Sequence, residues 1–348
     1  MEKTITVGVD LGDKRSEVCV LDDEGVVATR KSIATTKRGF AGLFSTLKRA
    51  RVILEVGTHS RWTSSLLRAL GHEVITANPR QVRLIASSHK KTDRFDAELL
   101  ARLGRVDVTL LSPVTQRGDE AHFDLAVVQS RDALVSTRTK LINRCRGLAK
   151  AAGYRLSSCS TTSFHTRVEL PDELRPALAP LMRTIEQLTM SIKAMDKQID
   201  QMVACCYPEA ERLTAVDGVG AMTALAFVLT LEDPARFKQP RRAGAYLGLT
   251  PRLSQSGAID PQLGITKAGN GYVRKLLVQC AQRILGPFGK DTDLRRWGLK
   301  IAERGGKNAK RRAVVAVARK LAVLLCKLWT SGEDYVPIGY HQRRIASA

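Results

Sequence analysis

Four acidic residues lie where carboxylate chemistry is possible. Asp10 and Glu55 each close a short apolar run of β-branched and aliphatic residues. Asp93 and Asp96 are three residues apart, which places them on one face of a helix. Taken singly, such acids are also found as turn residues, solvated surface groups or helix caps. Together they predict a site for Mg²⁺ or Mn²⁺, which would assist a reaction at a phosphodiester.

The elements that must position these acids form an α/β domain, which we expect to span residues 1–115. Strands are predicted at residues 4–9, 16–21, 26–33, 51–54 and 73–76, and helices at 61–70 and 92–103. Asp10 and Glu55 then stand at strand ends, and Asp93 and Asp96 lie in the first turn of a helix. Strand ends and a neighbouring helix can bring such groups together above a sheet.

Residues 116–206 are predicted to be a helical region with a coiled coil. Its second half has apolar residues at alternating steps of four and three, the a/d pattern of a heptad. They are Leu181, Ile185, Leu188, Ile192, Met195, Ile199 and Met202. Two interpretations stay open: a helix packed on its own domain, or a helical hairpin that pairs subunits.

Residues 207–348 are predicted to be a mainly α domain that begins like a helix-hairpin-helix. Gly218-Val219-Gly220 is the expected turn, because glycine permits a positive φ. Backbone amides at the following helix N-terminus can hold a phosphate. A plain turn between two helices has a similar sequence.

The net charge of +22 indicates a polyanionic partner. Residues 236–348 contribute 17 of those charges, with 23 Lys and Arg against six Asp and Glu. An anionic membrane is the other candidate, but no run of about 18 apolar residues could span a bilayer. The N-terminus lacks signal-peptide features.

The seven scattered cysteines, without CxxC spacing, favour reduced thiols in a cytoplasmic protein. Aromatic residues make up only 5%, which favours phosphate and groove contacts over base stacking.

Six segments resemble motifs of the DEDD transposases of the IS110 insertion-sequence family, in the same order along the chain. They are Val7–Asp10, Leu54-Glu55, Lys91–Ala97, Gly244–Arg252, Ser256-Gly257 and Ile265–Asn270. The resemblance covers essentially the whole chain. It implies a ribonuclease-H-like (RuvC-like) fold for the first domain, with Asp10, Glu55, Asp93 and Asp96 as catalytic metal ligands. It also implies that Ser256 is the nucleophile of a recombinase guided by a bridge RNA.

By itself Ser256-Gly257 is an ordinary loop dipeptide, and most such serines only shape a turn. Nearby cations would neutralise a scissile phosphate. The resemblance implies that the carboxylates, with their metal, assist Ser256 from another domain or subunit to form a phosphoserine. The candidate nucleic-acid-binding residues are Gly218, Gly220, Arg252, Lys267, Arg274, Lys275, Lys307, Lys310, Arg311 and Arg312.

The expected partners are donor and target double-stranded DNA, and a homo-oligomer that is at least a dimer and a tetramer at synapsis. The guide RNA rests on the resemblance alone. A RuvC-like endonuclease or junction resolvase would need only the carboxylates. A non-enzymatic scaffold would not need all five key residues. An actin-like ATPase or kinase shares the Val9–Gly12 start, but its further phosphate and adenosine motifs are missing and the charge is hard to explain.

Overall fold

The computed structural model describes residues 5–85, 92–115, 118–256, 261, 263–306 and 308–339. Lys91, Gly257 and Lys307 lie outside the described residues. The chain divides into two compact units, Met1–Gly118 and Asp119–Ala348. The division into three domains that the sequence suggests stays a prediction.

The first unit is an α/β domain, as the sequence predicted. Its elements are β1 (Thr6–Asp10), β2 (Arg15–Leu21), β3 (Val27–Ala34), α1 (Lys37–Phe44), β4 (Arg51–Glu55), α2 (Ser60–Ala69), β5 (Glu73–Ala77), α3 (Pro79–Ile85) and α4 (Asp93–Val106). A 3-10 turn follows at Val108–Leu111. The five strands agree closely with the predicted strands, and α2 and α4 with the predicted helices.

One mixed sheet of order β3-β2-β1-β4-β5 organises this unit. β1 pairs antiparallel with β2 and parallel with β4, and β5 continues the parallel half. The central strands are buried nearly throughout because helices cover both faces, which explains their unbroken apolar runs. Phe40 and Phe44 of α1 pack in the core on one face, and Ala97 and Ala101 of α4 on the other.

The second unit begins with a pair of long helices. They are α5 (Asp119–Ala151) and α7 (Arg175–Cys206), joined by a connection that holds the one-turn helix α6 (Phe164–Arg167) and a 3-10 turn at Asp172–Leu174. Ile142 and Cys145 of α5 pack with Ile185 of α7 in a core that also includes Phe164. Arg131 Nε lies 2.7 Å from Asp196 Oδ1, an ion pair between the two helices.

The rest of the second unit is helical around one large core. Its elements are α8 (Pro208–Leu213), α9 (Ala221–Leu231), α10 (Arg242–Tyr246), α11 (Gly271–Leu285), α12 (Asp293–Ala302) and α13 (Ala309–Ser331), with a 3-10 turn at Pro234–Arg236. Helix α9 is buried over most of its surface, and Leu125 of α5 and Ile199 of α7 join the same core. In the described part of the chain, no helix combines the length and apolar character that a bilayer crossing needs.

Candidate active site

Asp10 and Glu55 end two neighbouring parallel strands. Val9 of β1 lies opposite Leu54 of β4 in the parallel register, so the residues that follow them are also neighbours. The residues before both acids are buried, whereas the acids themselves are half-buried at the edge of the sheet. The parallel pairing therefore places two carboxylate-bearing residues side by side.

Helix α4 brings its first turn to the same end of β1. Near the end of α4, Arg105 Nη2 donates to the carbonyl of Asp23 at 2.6 Å, in the turn between β2 and β3. Near its start, Arg94 Nε lies 3.7 Å from the carboxylate of Glu17, which pairs with Asp10 across β1 and β2. The helix therefore runs antiparallel to β1.

Local chemistry fixes where α4 begins. Thr92 is extended, and its hydroxyl accepts a hydrogen bond from the Phe95 amide at 3.3 Å, which makes it the N-cap. Asp93 and Asp96 follow in the first turn, where the helix dipole favours negative charge. The helix is tied to β3 by Glu98, whose carboxylate accepts from Arg30 and from Arg102. These hydrogen bonds lower the pKa of Glu98.

Small residues let α4 approach the sheet closely. A methyl group on Gly8 of β1 would overlap the carbonyl oxygen of Ala97, and one on Gly104 would overlap the Ile53 side chain. Ala97 and Ala101 are fully buried against the sheet side of the helix. The spacing Ala97, Ala101, Gly104 thus holds the Asp96 turn close to the end of β1.

The donor set is chemically suited to a hard divalent cation. All four acids offer carboxylate oxygens, the ligands of Mg²⁺ and Mn²⁺. Asp10, Glu55 and Asp96 are half-buried and Asp93 is exposed, so the edge is open to solvent and to a phosphate. Among the residues that the structure describes, no three His, Cys, Asp or Glu side chains are gathered closely enough to hold a metal ion. The fold brings the four residues to one edge without closing them into a coordination site.

Ser256 lies in an exposed segment of the second unit, residues 252–256, which we call the serine arm. The arm leaves the body where Pro251 bridges Ile265, and Arg252 N donates to Gly264 O at 2.9 Å. At the base, Thr266 N donates to Thr250 O at 2.9 Å. Ser254, Ser256 and Arg252 are exposed. The serine is therefore presented to solvent beyond a hydrogen-bonded base.

The base of the arm explains the glycines of the surrounding motif. Gly248 and Gly269 have φ angles of +67° and +66°, and a methyl group on either would overlap the opposing backbone. Lys267 has a φ of +54°, a backbone conformation that residues other than glycine rarely adopt. Two segments of backbone therefore cross closely beneath the serine arm, and Lys267 is held in a strained backbone conformation at that crossing.

Two of the predicted phosphate-binding cations have partners within the protein. Arg274 Nη1 donates to the carbonyls of Leu247 at 2.9 Å and Ala268 at 2.8 Å, so this side chain ties the base of the arm together. Lys275 Nζ lies 2.6 Å from Asp132 of α5 and over the ring of Tyr272. Burial raises the pKa of that tyrosine to about 12, with Asp132 adding to the effect. Both cations therefore stabilise contacts within the second unit.

The other predicted cations of the described chain lie on its surface. Arg252 and Lys267 are exposed near the arm, and Lys310, Arg311 and Arg312 are exposed in the first turn of α13. Cations at a helix N-terminus are disfavoured by the helix dipole, and a bound phosphate would relieve that repulsion. These side chains are therefore placed where a nucleic-acid backbone could reach them.

The turn before α9 has the predicted positive φ at Gly218, whereas Gly220 is extended, with φ of −99°. Gly218 has φ of +86°, and a methyl group there would lie 2.8 Å from Ile284 Cγ1 of α11. Gly220 is exposed and precedes the first residue of the helix. Sequence reasoning missed Arg283 and Lys290, two cations that line the same surface as Gly218. Only the packing of α11 beside the turn reveals them.

Two family models match most of this chain. Residues 7–152 match the model of the IS110 DEDD group, described as a transposase. Residues 210–292 match the model described as the transposase IS116/IS110/IS902 family. The first match includes all four acids, and the second includes Ser256 and the base of its arm.

Curated transposases are similar to the chain over 81–95% of its length. The transposase for insertion sequence element IS1111A of Coxiella burnetii is 29% identical over 343 residues, covering 94% of this chain and 90% of the relative. A probable family 20 transposase of Pseudomonas aeruginosa is 29% identical over 342 residues, covering 95% and 98%. The transposase for element IS1328 of Yersinia enterocolitica is 26% identical over 287 residues, covering 81% and 84%.

Proposed function

The chain belongs to the IS110 family of DNA transposases, and from this premise we propose that it cleaves and rejoins DNA with the four carboxylates of the first unit and with Ser256. The observation that supports the proposal most strongly is the side-by-side placement of Asp10 and Glu55 at the ends of β1 and β4. Helix α4 brings the turn that carries Asp93 and Asp96 to the same end of β1, since Arg94 lies near Glu17, the cross-strand neighbour of Asp10. We propose that the first unit is ribonuclease-H-like, on the strength of this mixed sheet with acids at its central strand ends.

Asp10, Glu55, Asp93 and Asp96 are the residues that would hold Mg²⁺ or Mn²⁺. When bound, such an ion polarises a phosphoryl oxygen and stabilises the charge of the leaving oxygen. The protein's own contribution is placement: β1 and β4 fix two of the acids, and the Thr92 cap fixes the turn that carries the other two. The exposed side of this edge leaves room for a phosphodiester.

Ser256 is proposed as the nucleophile. Its Oγ attacks a DNA phosphorus, an O–P bond forms, and the bond from phosphorus to the departing strand oxygen breaks. The serine proton is lost and the departing oxygen gains a proton, so the step is an ester exchange without oxidation or reduction. A hydroxyl of a second DNA end then reverses the exchange, which joins the strands without a high-energy cofactor.

The proposed partners are two DNA duplexes and a structured guide RNA. The support from the chain is its charge, since 17 of the 22 excess positive charges lie in residues 236–348. Exposed Arg252, Lys267, Lys310, Arg311 and Arg312 supply phosphate contacts on the described surface. The choice of RNA as guide rests on the family.

We propose that subunits pair through one side of the α5/α7 hairpin. Three of the seven predicted heptad positions, Ile185, Ile192 and Ile199, are buried within the chain. The other four are half-buried, as are residues at seven-residue spacing on α5, and several of them reach the hairpin's own core with one side. These half-buried residues are Val127, Leu134, Leu141 and Leu148 on α5 and Leu181, Leu188, Met195 and Met202 on α7.

The two half-buried stripes lie on the same side of the hairpin. On each helix the stripe is offset from the buried stripe by a similar angle in the same rotational sense, at about 100° per residue. In an antiparallel pair, equal offsets of that sense bring both stripes to one side. This continuous apolar side, which we call the hairpin stripe, suits a second copy of the same hairpin.

A metal-dependent cleavage assay tests the carboxylate site. Asp10→Asn should reduce strand cleavage by at least about a hundredfold, since one metal ligand loses its charge. Binding of DNA and the melting temperature should stay near those of the unchanged protein. Asp13→Asn is the matched control, because Asp13 lies just beyond β1 and its side chain is 91% exposed. Undiminished cleavage by Asp10→Asn would remove the carboxylate hypothesis, and cleavage without any covalent intermediate would favour a plain endonuclease.

A further inference from the structure

The loop between α11 and α12 presents an aromatic ring to solvent. Phe288 is 89% exposed, the highest value among the large hydrophobic residues of the described chain. Pro287 before it is exposed as well. The loop therefore displays two adjacent apolar residues on a strongly basic part of the protein.

The loop is held rigidly. Arg295 of α12 donates through Nη1 to the carbonyl of Ile284 and to that of Gly286, the latter at 2.6 Å. Gly289 N donates to Gly286 O at 3.2 Å, which closes a tight turn around the ring. A methyl group on Gly289 would overlap the Ile284 carbonyl. The backbone that carries the ring is thus held by hydrogen bonds before any partner arrives, which lowers the entropic cost of ordering the loop on binding.

Cations and the glycine turn surround the ring. A shallow cavity of about 80 Å³ is lined by Phe288, by Gly218 of the turn before α9, and by Arg283 and Lys290. Lys290 Nζ lies 2.9 Å from the carboxylate of Asp217 yet its side chain is 79% exposed. Arg283 is exposed at the end of α11. An exposed apolar tip beside cationic side chains suits a protein that inserts an apolar wedge between DNA base steps.

We propose that Phe288 is an apolar wedge that enters a DNA duplex between adjacent base pairs, while Arg283, Lys290 and the turn at Gly218 contact the flanking phosphates. The inference rests on the proposed DNA reaction and adds a way in which the protein deforms its substrate. Phe and Pro are among the residues that partly unstack base steps and kink the duplex. Pyrimidine–purine steps such as TA kink most easily, so a TA step should be the preferred point of entry.

Double-stranded DNA is favoured over double-stranded RNA as the partner. Apolar wedge residues of DNA-bending proteins enter the minor groove of B-form DNA and kink the duplex, which opens that groove. The minor groove of A-form RNA is already wide and shallow, and it is recognised through hydroxyl and phosphate contacts instead. An exposed aromatic ring would therefore bury little apolar surface against an RNA duplex.

The test combines binding with a fluorescent reporter of stacking. Fluorescein-labelled duplexes carry 2-aminopurine next to a central TA step, or next to a GC step as the stiff comparison. Phe288→Ala should bind the TA duplex about five- to a hundredfold more weakly and lose the rise in 2-aminopurine fluorescence. The dependence of binding on salt should keep its slope, because no phosphate contact is removed. Phe288→Leu should retain most of the signal as an alternative wedge.

Phe123→Ala is the matched control, since Phe123 on α5 is also exposed, at 62%, and the substitution removes the same atoms. It should behave like the unchanged protein. Equal binding and equal fluorescence for Phe288→Ala and the unchanged protein would overturn the wedge while leaving DNA binding intact. An effect confined to an RNA duplex of the same sequence would overturn it as well. If the unchanged protein, together with its co-purifying nucleic acid, bound no DNA duplex, the proposed DNA function itself would fail.

Discussion

Gly8 lies in the middle of β1, where the backbone of α4 passes over it. The carbonyl of Ala97 occupies the space that a side chain would need. This contact sets the distance between the strand that ends at Asp10 and the helix that begins at Asp93. A residue without any functional group thus sets how closely the helix that carries Asp93 and Asp96 approaches the strand that ends at Asp10.

Gly8→Ala tests this role. The new methyl group must push α4 away from the sheet, and we expect the free energy of unfolding to fall by about 3 kcal/mol, the upper range for overpacking. Strand cleavage should fall further than stability explains, because Asp93 and Asp96 move with the helix. Denaturant unfolding and a cleavage assay below the melting temperature measure the two effects.

Gly42→Ala is the control for that change. Gly42 is an exposed position of α1, and a methyl group there would meet open space, so alanine should stabilise the helix by about 0.5–1 kcal/mol. If Gly8→Ala were as well tolerated as Gly42→Ala, the close approach of α4 would not be what positions the acids.

At the scale of residues, the sequence predicted which residues lie at strand ends and helix starts better than it predicted which residues they contact. Asp10, Glu55 and the start of the helix at residue 92 could be placed because strand ends and helix starts have local signals. The internal role of Arg274 could not, since it depends on carbonyls of Leu247 and Ala268 that only the folded loops bring together. Phe288 had no signal at all, because exposure of a ring is a tertiary property.

At the scale of elements, the half-buried apolar residues of the α5/α7 hairpin are the basis of the proposed subunit pairing. A single heptad pattern in α7 serves two purposes: Ile185, Ile192 and Ile199 pack within the chain, and the hairpin stripe remains half-buried. Pairing of two stripes would complete that burial. The stripe consists of Val, Leu and Met side chains, and paired helices commonly bury apolar side chains of this kind.

Substituting charges into the stripe separates assembly from folding. Met195→Glu together with Leu188→Glu should convert the oligomer to a smaller particle, because two unpaired charges would enter the contact. Light scattering at matched protein concentration measures the mass, and circular dichroism should stay unchanged. Ile192→Glu, in contrast, should unfold the hairpin, since Ile192 is 3% exposed.

Met190→Glu is the matched control for the stripe. Met190 lies on the outer face of the same helix with 59% exposure, so the same substitution there should leave the oligomer intact. A mass that is the same for all variants and for the unchanged protein would mean that the stripe does not pair subunits.

Periodicity predicted these helices but not which face each residue uses. The steps of four and three define one stripe, and the structure buries three of its positions within the chain and leaves the other four half-buried. Helix α1 went unpredicted, because Lys37–Phe44 is short and its two glycines hide the spacing of Phe40 and Phe44. Turns with required glycines, such as the one at Gly218, were easier because positive φ leaves a direct mark in the sequence.

At the scale of the whole molecule, charge and family lead to the same substrate. The excess of Lys and Arg in residues 236–348 suits a polyanion. Both family models describe transposases, and they match the segments that contain the acids and the serine. In the proposed reaction each compact unit therefore has its own part, the carboxylates in the first and Ser256 in the second.

The most direct test of this account is the covalent protein–DNA intermediate. Labelled DNA is incubated with the protein, its co-purifying nucleic acid and Mg²⁺, separated under denaturing conditions, and the adduct peptide is identified by mass spectrometry. We predict an adduct on Ser256 that is lost in Ser256→Ala and in Asp10→Asn, with DNA binding retained in both. Ser254→Ala, in the same exposed arm, should keep it. An adduct on another residue, or recombination that persists in Ser256→Ala, would contradict the account.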